Sequence, residues 1–165
     1  MDPAASRIAI LSGIVAAVGV IFLLVFYALV FATPLKDLGQ VFGGLNDLCI
    51  AIQYLLAIPL ALSLRRILHQ YAPRLVTLAT VVGVASMLIV ITLQMALVLG
   101  VLTFAQQVLW VSLALIGGVG FWLVATGLVA QSTGRFPNSL RMSLFAALYL
   151  GYPFWAFWIG RQLRS

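Results

Sequence analysis

Residues 43–66 read GGLNDLCIAIQYLLAIPLALSLRR, and the length and character of this stretch decide the class of fold. The polar pair Asn46 and Asp47 opens it, and Arg65 and Arg66 end it. The run between them is almost wholly apolar and about as long as the ~20 residues that a helix needs to cross the hydrocarbon core of a bilayer. The stretch is therefore predicted to form a membrane-spanning helix with Asn46 or Asp47 as its N-cap.

The composition of the whole chain indicates the same class. Of the 165 residues, 64% are hydrophobic and only 7% are charged. A soluble domain carries about 25% charged residues, so most of this surface is expected to face lipid or other protein. The net charge of +6 comes from basic residues in short connections, where they set orientation and contact anionic headgroups. Membrane lipids are therefore expected partners, and nucleic-acid binding is not expected.

Proline, glycine and charged residues divide the chain into five apolar segments. This pattern predicts a single all-α domain, an integral membrane bundle of five transmembrane helices. The predicted helices cover residues 8–32, 45–64, 75–101, 108–131 and 143–160. Small residues recur at helical spacing in the fourth segment, where Gly117, Gly120 and Gly127 share a face. Such faces let helix backbones approach closely in lipid.

Five spans put the two termini on opposite sides of the membrane. With the N-terminus in the cytoplasm, six basic residues face inward and three outward, so the positive-inside rule favours this orientation. Trp155 and Trp158 then lie at the outer interface. In the alternative, residues 151–153 break the last segment into a re-entrant hairpin that returns the C-terminus inside. Eight basic residues then face inward and one faces outward. Because a re-entrant segment must be shielded by protein, we expect the five-span arrangement.

A polar stripe follows one side of the second predicted helix. Asn46 and Gln53 share a face, and Asp47 and Tyr54 lie beside it at a spacing of seven. Polar groups at membrane depth normally face the bundle interior. One interpretation is a small binding site or an entry path for a cation or polar ligand, formed by these four residues with Gln94. In the other interpretation, Asn46 and Asp47 cap the helix, while Gln53 forms a hydrogen bond with Gln94 across the bundle.

The connection RRILHQYAPR, residues 65–74, is the most basic part of the chain. Its residues Arg65, Arg66, His69 and Arg74 are expected at the lipid interface. His69 is the only histidine, so bis-histidine haem ligation within one chain is excluded. The aromatic end of the last segment, with Trp155 and Trp158, is interpreted as an interfacial belt; the alternative is a surface for a quinone, a carotenoid or a partner helix.

Catalysis and metal binding receive no support from the sequence. The chain contains no Glu, no metalloprotease or nucleophile-elbow motif and no phosphate-binding loop. Asp47 and His69 lie at opposite ends of one predicted helix, roughly 30 Å apart at a rise of ~1.5 Å per residue. We therefore expect no enzyme activity, no metal site and no cofactor.

Two stretches in the second half resemble segments of small multi-spanning bacterial membrane proteins of a family with no known function. They are GGVGFWLVATGLVAQSTGRFP, residues 117–137, and GYPFWAFWIGR, residues 151–161. The resemblance implies a multi-pass protein of a bacterial inner membrane. It implies no activity, ligand or site residue.

Together these features favour a non-enzymatic structural or accessory component of a membrane assembly. The expected partners are further copies of the chain or the subunits of a larger membrane complex. One alternative is a small transporter or ligand-binding protein that uses the stripe around Asp47. Another is a pigment- or quinone-binding accessory subunit.

Overall fold

The computed structural model describes residues 3–134, 136, 138–146 and 151–164. The described residues form helices and no strands, which confirms the all-α class. In chain order the helices are α1 (Pro3–Ala32), α2 (Lys36–Leu68), α3 (Pro73–Val98), α4 (Phe104–Ser132), α5 (Ser139–Ala146) and α6 (Tyr152–Arg164). Within α4, the segment Ala114–Val119 has π-helical hydrogen bonding.

Helices α1 to α4 are each long and apolar enough to cross a membrane. They match the first four predicted spans, and their length and composition indicate a membrane protein. The start of α2 differs from the prediction, because the helix begins at Lys36 and not near residue 45. Asn46 and Asp47 therefore lie inside the helix, and the prediction that one of them is the N-cap is wrong.

The physical reason for the early start is the close approach of α1 and α2 after their short connection. A Cβ at Gly39 would lie only 2.7 Å from Cγ2 of Val30 on α1. The missing side chain thus lets the two backbones pack together, and this packing stabilises a helix that local propensity disfavours.

The four long helices run up and down, so their ends fall at two ends of the bundle. Gly19 of α1 faces Cys49 of α2, and Gly118 of α4 lies against Ser86 of α3, as antiparallel neighbours must. The arginine end is formed by the start of α1, the α2–α3 connection, the start of α5 and the end of α6. The opposite end is formed by the α1–α2 and α3–α4 connections. The described arginines all lie at the arginine end: Arg7, Arg65, Arg66, Arg74, Arg141, Arg161 and Arg164.

The last segment does not form the single spanning helix predicted over residues 143–160. At the start of α5, Ser139 Oγ donates a hydrogen bond of 2.8 Å to the carbonyl of Gly127, near the end of α4. Near the end of α6, Gly160 lies beside Ser6 at the start of α1. The chain thus enters and leaves this hairpin at the arginine end, although residues 147–150 lie outside the described residues.

This hairpin corresponds to the re-entrant alternative, and it puts the described C-terminal residues at the same end of the bundle as the start of α1. The expected arrangement, in which a fifth span separates the two termini, is not confirmed. The physical reason is the small-residue face of α1. Ala5, Ala9 and Gly13 on this face are buried, and Gly13 approaches the backbone of Pro153 in α6. Helix α6 thus finds a groove that shields it within the bundle.

Candidate functional site

A cluster of buried polar groups lies where α6 begins against α1 and α2. The side-chain oxygens of Ser12 and Tyr152 are 2.9 Å apart, and Ser12 Oγ donates to the carbonyl of Gln53 over 3.2 Å. Because a serine hydroxyl has one proton, Tyr152 is the donor in the first bond. The three buried residues therefore connect α6, α1 and α2 through a directed pair of hydrogen bonds.

The small residues of α1 make this meeting possible. Ser12 lies next to Gly13, where a Cβ would be 3.2 Å from Cβ of Ala156 in α6. A larger side chain at this position would push α6 outward and lengthen the Ser12–Tyr152 bond. The serine beside this glycine was not recognised from the sequence as a site residue.

The Gln53 side-chain amide is the least satisfied polar group at this place. Gln53 is 2% exposed, and its Nε2 has no hydrogen-bond partner among the described residues. A buried donor without an acceptor costs about 1–3 kcal/mol, so such groups usually mark a bound water, a ligand or a functional constraint. Trp122 Nε1 on α4 is a second buried donor without a described partner.

An aromatic chain passes through the same region. The ring centroids of Tyr54 and Tyr152 are 6.0 Å apart, those of Tyr152 and Trp155 are 5.5 Å apart, and those of Trp155 and Trp122 are 5.7 Å apart in an edge-to-face arrangement. Such pairs stabilise by about 0.5–1.5 kcal/mol beyond the area they bury. The α6 helix is thus connected to α2 on one side and to α4 on the other.

The predicted stripe on α2 is mostly turned into the bundle. Asn46, Gln53 and Tyr54 are buried, while Asp47 is half-buried. The Asn46 side chain forms a hydrogen bond with the Asp47 carboxylate. The structure therefore brings Gln53 and Tyr54 together with Ser12 and Tyr152, whereas Asn46 and Asp47 lie about two turns closer to the opposite end.

Gln94 is not part of this cluster. Its Oε1 accepts a hydrogen bond of 2.6 Å from Nε2 of Gln107, and both residues are buried. The predicted Gln53–Gln94 pair is therefore wrong. The physical reason lies in the short α3–α4 connection: Thr103 and Gln106 form a capping box that starts α4, which turns the neighbouring Gln107 toward α3.

The residues expected at the lipid interface divide into two groups. Arg66, His69 and Arg74 are exposed at the arginine end, and Arg65 is half-buried there. Trp155 does not lie at an interface, because it is 2% exposed and packs in the core. The hairpin fold is the reason, since it turns this face of α6 toward α1, α2 and α4.

Trp158 is half-buried and lies one turn nearer the arginine end. It contributes to the wall of a cavity of about 10 Å³ between the hairpin and the ends of α2 and α4. Ser139, Ser143 and Thr126 also line this cavity. A space of this size with several polar neighbours is about large enough for one water molecule.

The described residues contain no group of three or more His, Cys, Asp and Glu side chains that could hold a metal ion. No protein-family model, curated protein or solved structure matches the chain. The resemblance of residues 117–137 and 151–161 to small bacterial membrane proteins stays a prediction.

Proposed function

We propose that the protein is a non-enzymatic integral membrane protein of a bacterial inner membrane and serves as a structural or accessory component of a membrane assembly. The observation that supports this role best is an unfilled notch on the outer face of α4. Gly117 is exposed, and no described atom lies within 4 Å of a Cβ built there. Two other glycines of this helix pack against neighbouring helices, since Gly118 lies against Ser86 and Gly127 against Ser143.

Large apolar side chains surround the notch. Leu113, one turn before Gly117, is 56% exposed, and Ile116, directly beside Gly117 in the chain, is 73% exposed. In lipid, no hydrophobic driving force brings two helices together. Helices associate there through close packing, in which a side chain of one helix enters a small-residue notch of another. The notch therefore suits a helix of a second copy or of another subunit.

The topology that we propose has four spanning helices, α1 to α4, and a re-entrant pair, α5 and α6. Both termini lie in the cytoplasm. Support comes from the charge distribution, because the described arginines lie at the arginine end while Lys36 begins α2 at the opposite end. The positive-inside rule assigns the end rich in Lys and Arg to the cytoplasm.

The assembly role is tested by purifying the protein in mild detergent and measuring its mass together with its absorption spectrum. We expect a complex larger than the 17.8 kDa chain, containing either further copies or a stoichiometric partner. The Gly117→Leu variant should shift the mass toward that of the single chain, because it fills the notch. Gly44→Leu is the matched control, since a Cβ at Gly44 also meets no described atom within 4 Å.

A complex that survives Gly117→Leu unchanged, or a wild-type protein that runs as a single chain, would contradict this role. A bound chromophore in the absorption spectrum would favour the pigment or quinone alternative instead. The two variants can be compared directly because each replaces an open helical glycine by the same side chain.

A second candidate function is the binding or transport of a small polar solute. The specific observation in its favour is the buried Nε2 of Gln53, which lacks a described partner at the meeting point of α1, α2 and α6. A solute with a hydrogen-bond acceptor at this place would raise the melting temperature by mass action. A thermal-shift screen of small amides, carboxylates and sugars tests this: a hit must be lost in Gln53→Leu and kept in Gln107→Leu.

A further inference from the structure

An open groove of about 530 Å³ lies at the arginine end, beside the first turns of α3. Its lining residues are His69, Pro73, Arg74, Thr77, Leu78 and Val81. The first three belong to the α2–α3 connection and the start of α3, and the others follow along one side of that helix. The groove therefore runs from the bundle end toward the middle of the proposed membrane.

The two parts of this groove differ in chemistry. His69 and Arg74 are exposed at its mouth. Leu78 and Val81, one and two turns further along the same face as Arg74, are 57% and 60% exposed and form an apolar wall. A charged mouth above an apolar wall is amphipathic in the same direction as a phospholipid, with its headgroup at the interface and its chains in the hydrocarbon core.

We propose that this groove is a binding site for an anionic phospholipid. The phosphate lies between Arg74 and His69, and one acyl chain lies along Leu78 and Val81. An arginine guanidinium offers paired N–H donors that match phosphate oxygens, so Arg74 supplies both charge and directed hydrogen bonds. The apolar wall selects a lipid over a free phosphate, which would leave both side chains of the wall uncovered.

Charge complementarity supports an anionic headgroup over a zwitterionic one. Arg65 and Arg66 lie in the last turn of α2, within one turn of His69, and add to the positive potential at the mouth. The described carboxylates, Asp37 and Asp47, both lie in the half of α2 nearer the opposite end. Basic residues near a membrane surface attract anionic lipid.

The test is native mass spectrometry of the purified protein with dioleoyl phosphatidylglycerol or dioleoyl phosphatidylcholine added at equal concentration. The wild type should retain phosphatidylglycerol in preference to phosphatidylcholine. Arg74→Gln should reduce this retention about five-fold, which corresponds to ~1 kcal/mol. Arg141→Gln removes the same charge from α5, outside the groove, and should leave retention unchanged.

The apolar wall is tested with Leu78→Gln, which should also weaken retention of phosphatidylglycerol. Leu24→Gln is its control, because Leu24 is comparably exposed but lies on α1. Melting temperatures of the four variants show that each remains folded. Glycerol 3-phosphate, which has the headgroup phosphate but no acyl chain, should not compete.

Three results would overturn the proposal. They are equal retention of the two lipids by the wild type, equal losses in Arg74→Gln and Arg141→Gln, and competition by glycerol 3-phosphate. The first would show that the site has no headgroup preference. The second would show that the lipid does not bind at Arg74. The third would identify a site for a free phosphate.

Discussion

Ser6 Oγ donates a hydrogen bond of 2.7 Å to the carbonyl oxygen of Gly160, so the first and last helices are joined across 154 positions of the chain. Both partners are buried. This contact requires glycine, because a Cβ at position 160 would lie 2.8 Å from Cγ1 of Ile10 and 3.2 Å from the carbonyl of Ser6. It fixes the end of α6 at the start of α1.

We predict that Gly160→Val lowers the free energy of unfolding by about 1–3 kcal/mol, the usual cost of inserting atoms into a packed interior. The measurement is thermal unfolding in detergent, followed by circular dichroism. Gly44→Val is the control, because both changes replace a helical glycine but only position 160 is crowded. Equal losses in the two variants would mean that α6 does not pack against α1 as described.

The Gln94–Gln107 pair gives a second prediction. Its hydrogen bond is buried and connects α3 to the start of α4. Replacing one glutamine by leucine leaves the other unpaired, whereas replacing both removes the polar groups together. The single variants should therefore each be destabilised, and the double variant should recover part of the loss.

The coupling energy of this double-mutant cycle should be about 0.6–2 kcal/mol, the range found for hydrogen bonds between membrane helices. A matched cycle on Gln53 and Gln94 should show additive effects. If the Gln53–Gln94 cycle shows the coupling and the Gln94–Gln107 cycle does not, the Gln53–Gln94 pair predicted from the sequence is right and the Gln94–Gln107 pair is wrong.

The third prediction concerns Gln53 alone. Because its buried Nε2 has no described acceptor, Gln53→Leu should raise the free energy of unfolding by about 1 kcal/mol. Gln107→Leu, at another buried glutamine, should lower it, because that change deprives Gln94 of its partner. Destabilisation by Gln53→Leu would show that the amide has an acceptor, for instance an internal water.

The sequence was sufficient for the class of fold and for the first four long helices. Uninterrupted apolar runs and the deficit of charge determine these features without reference to tertiary contacts. The start of α2 was missed, because the packing of Gly39 against Val30 depends on the neighbouring helix. Local propensity, which disfavours glycine in helices, gave the opposite indication.

Sequence reasoning reached the hairpin only as an alternative and did not identify the observed polar pairs, for a similar reason. Periodicity assigns residues 143–160 to an apolar segment but does not say whether the chain continues across or turns back. The outcome depends on the fit between α6 and the small face of α1. Trp155 and Tyr152 of α6 are both buried in the resulting bundle. The partner of Gln94 depends on the capping geometry at Thr103, which orients the first turn of α4.

The central claim is that α5 and α6 form a hairpin that returns to the arginine end, and cysteine labelling tests it most directly. Starting from Cys49→Ala, three variants each carry one cysteine: Arg164→Cys at the end of α6, Gln70→Cys in the α2–α3 connection and Leu35→Cys in the α1–α2 connection. They are treated with a membrane-impermeant maleimide in sealed vesicles of one orientation. We predict that Arg164→Cys labels like Gln70→Cys and unlike Leu35→Cys. Labelling of Arg164→Cys together with Leu35→Cys would contradict the hairpin and restore a fifth spanning helix.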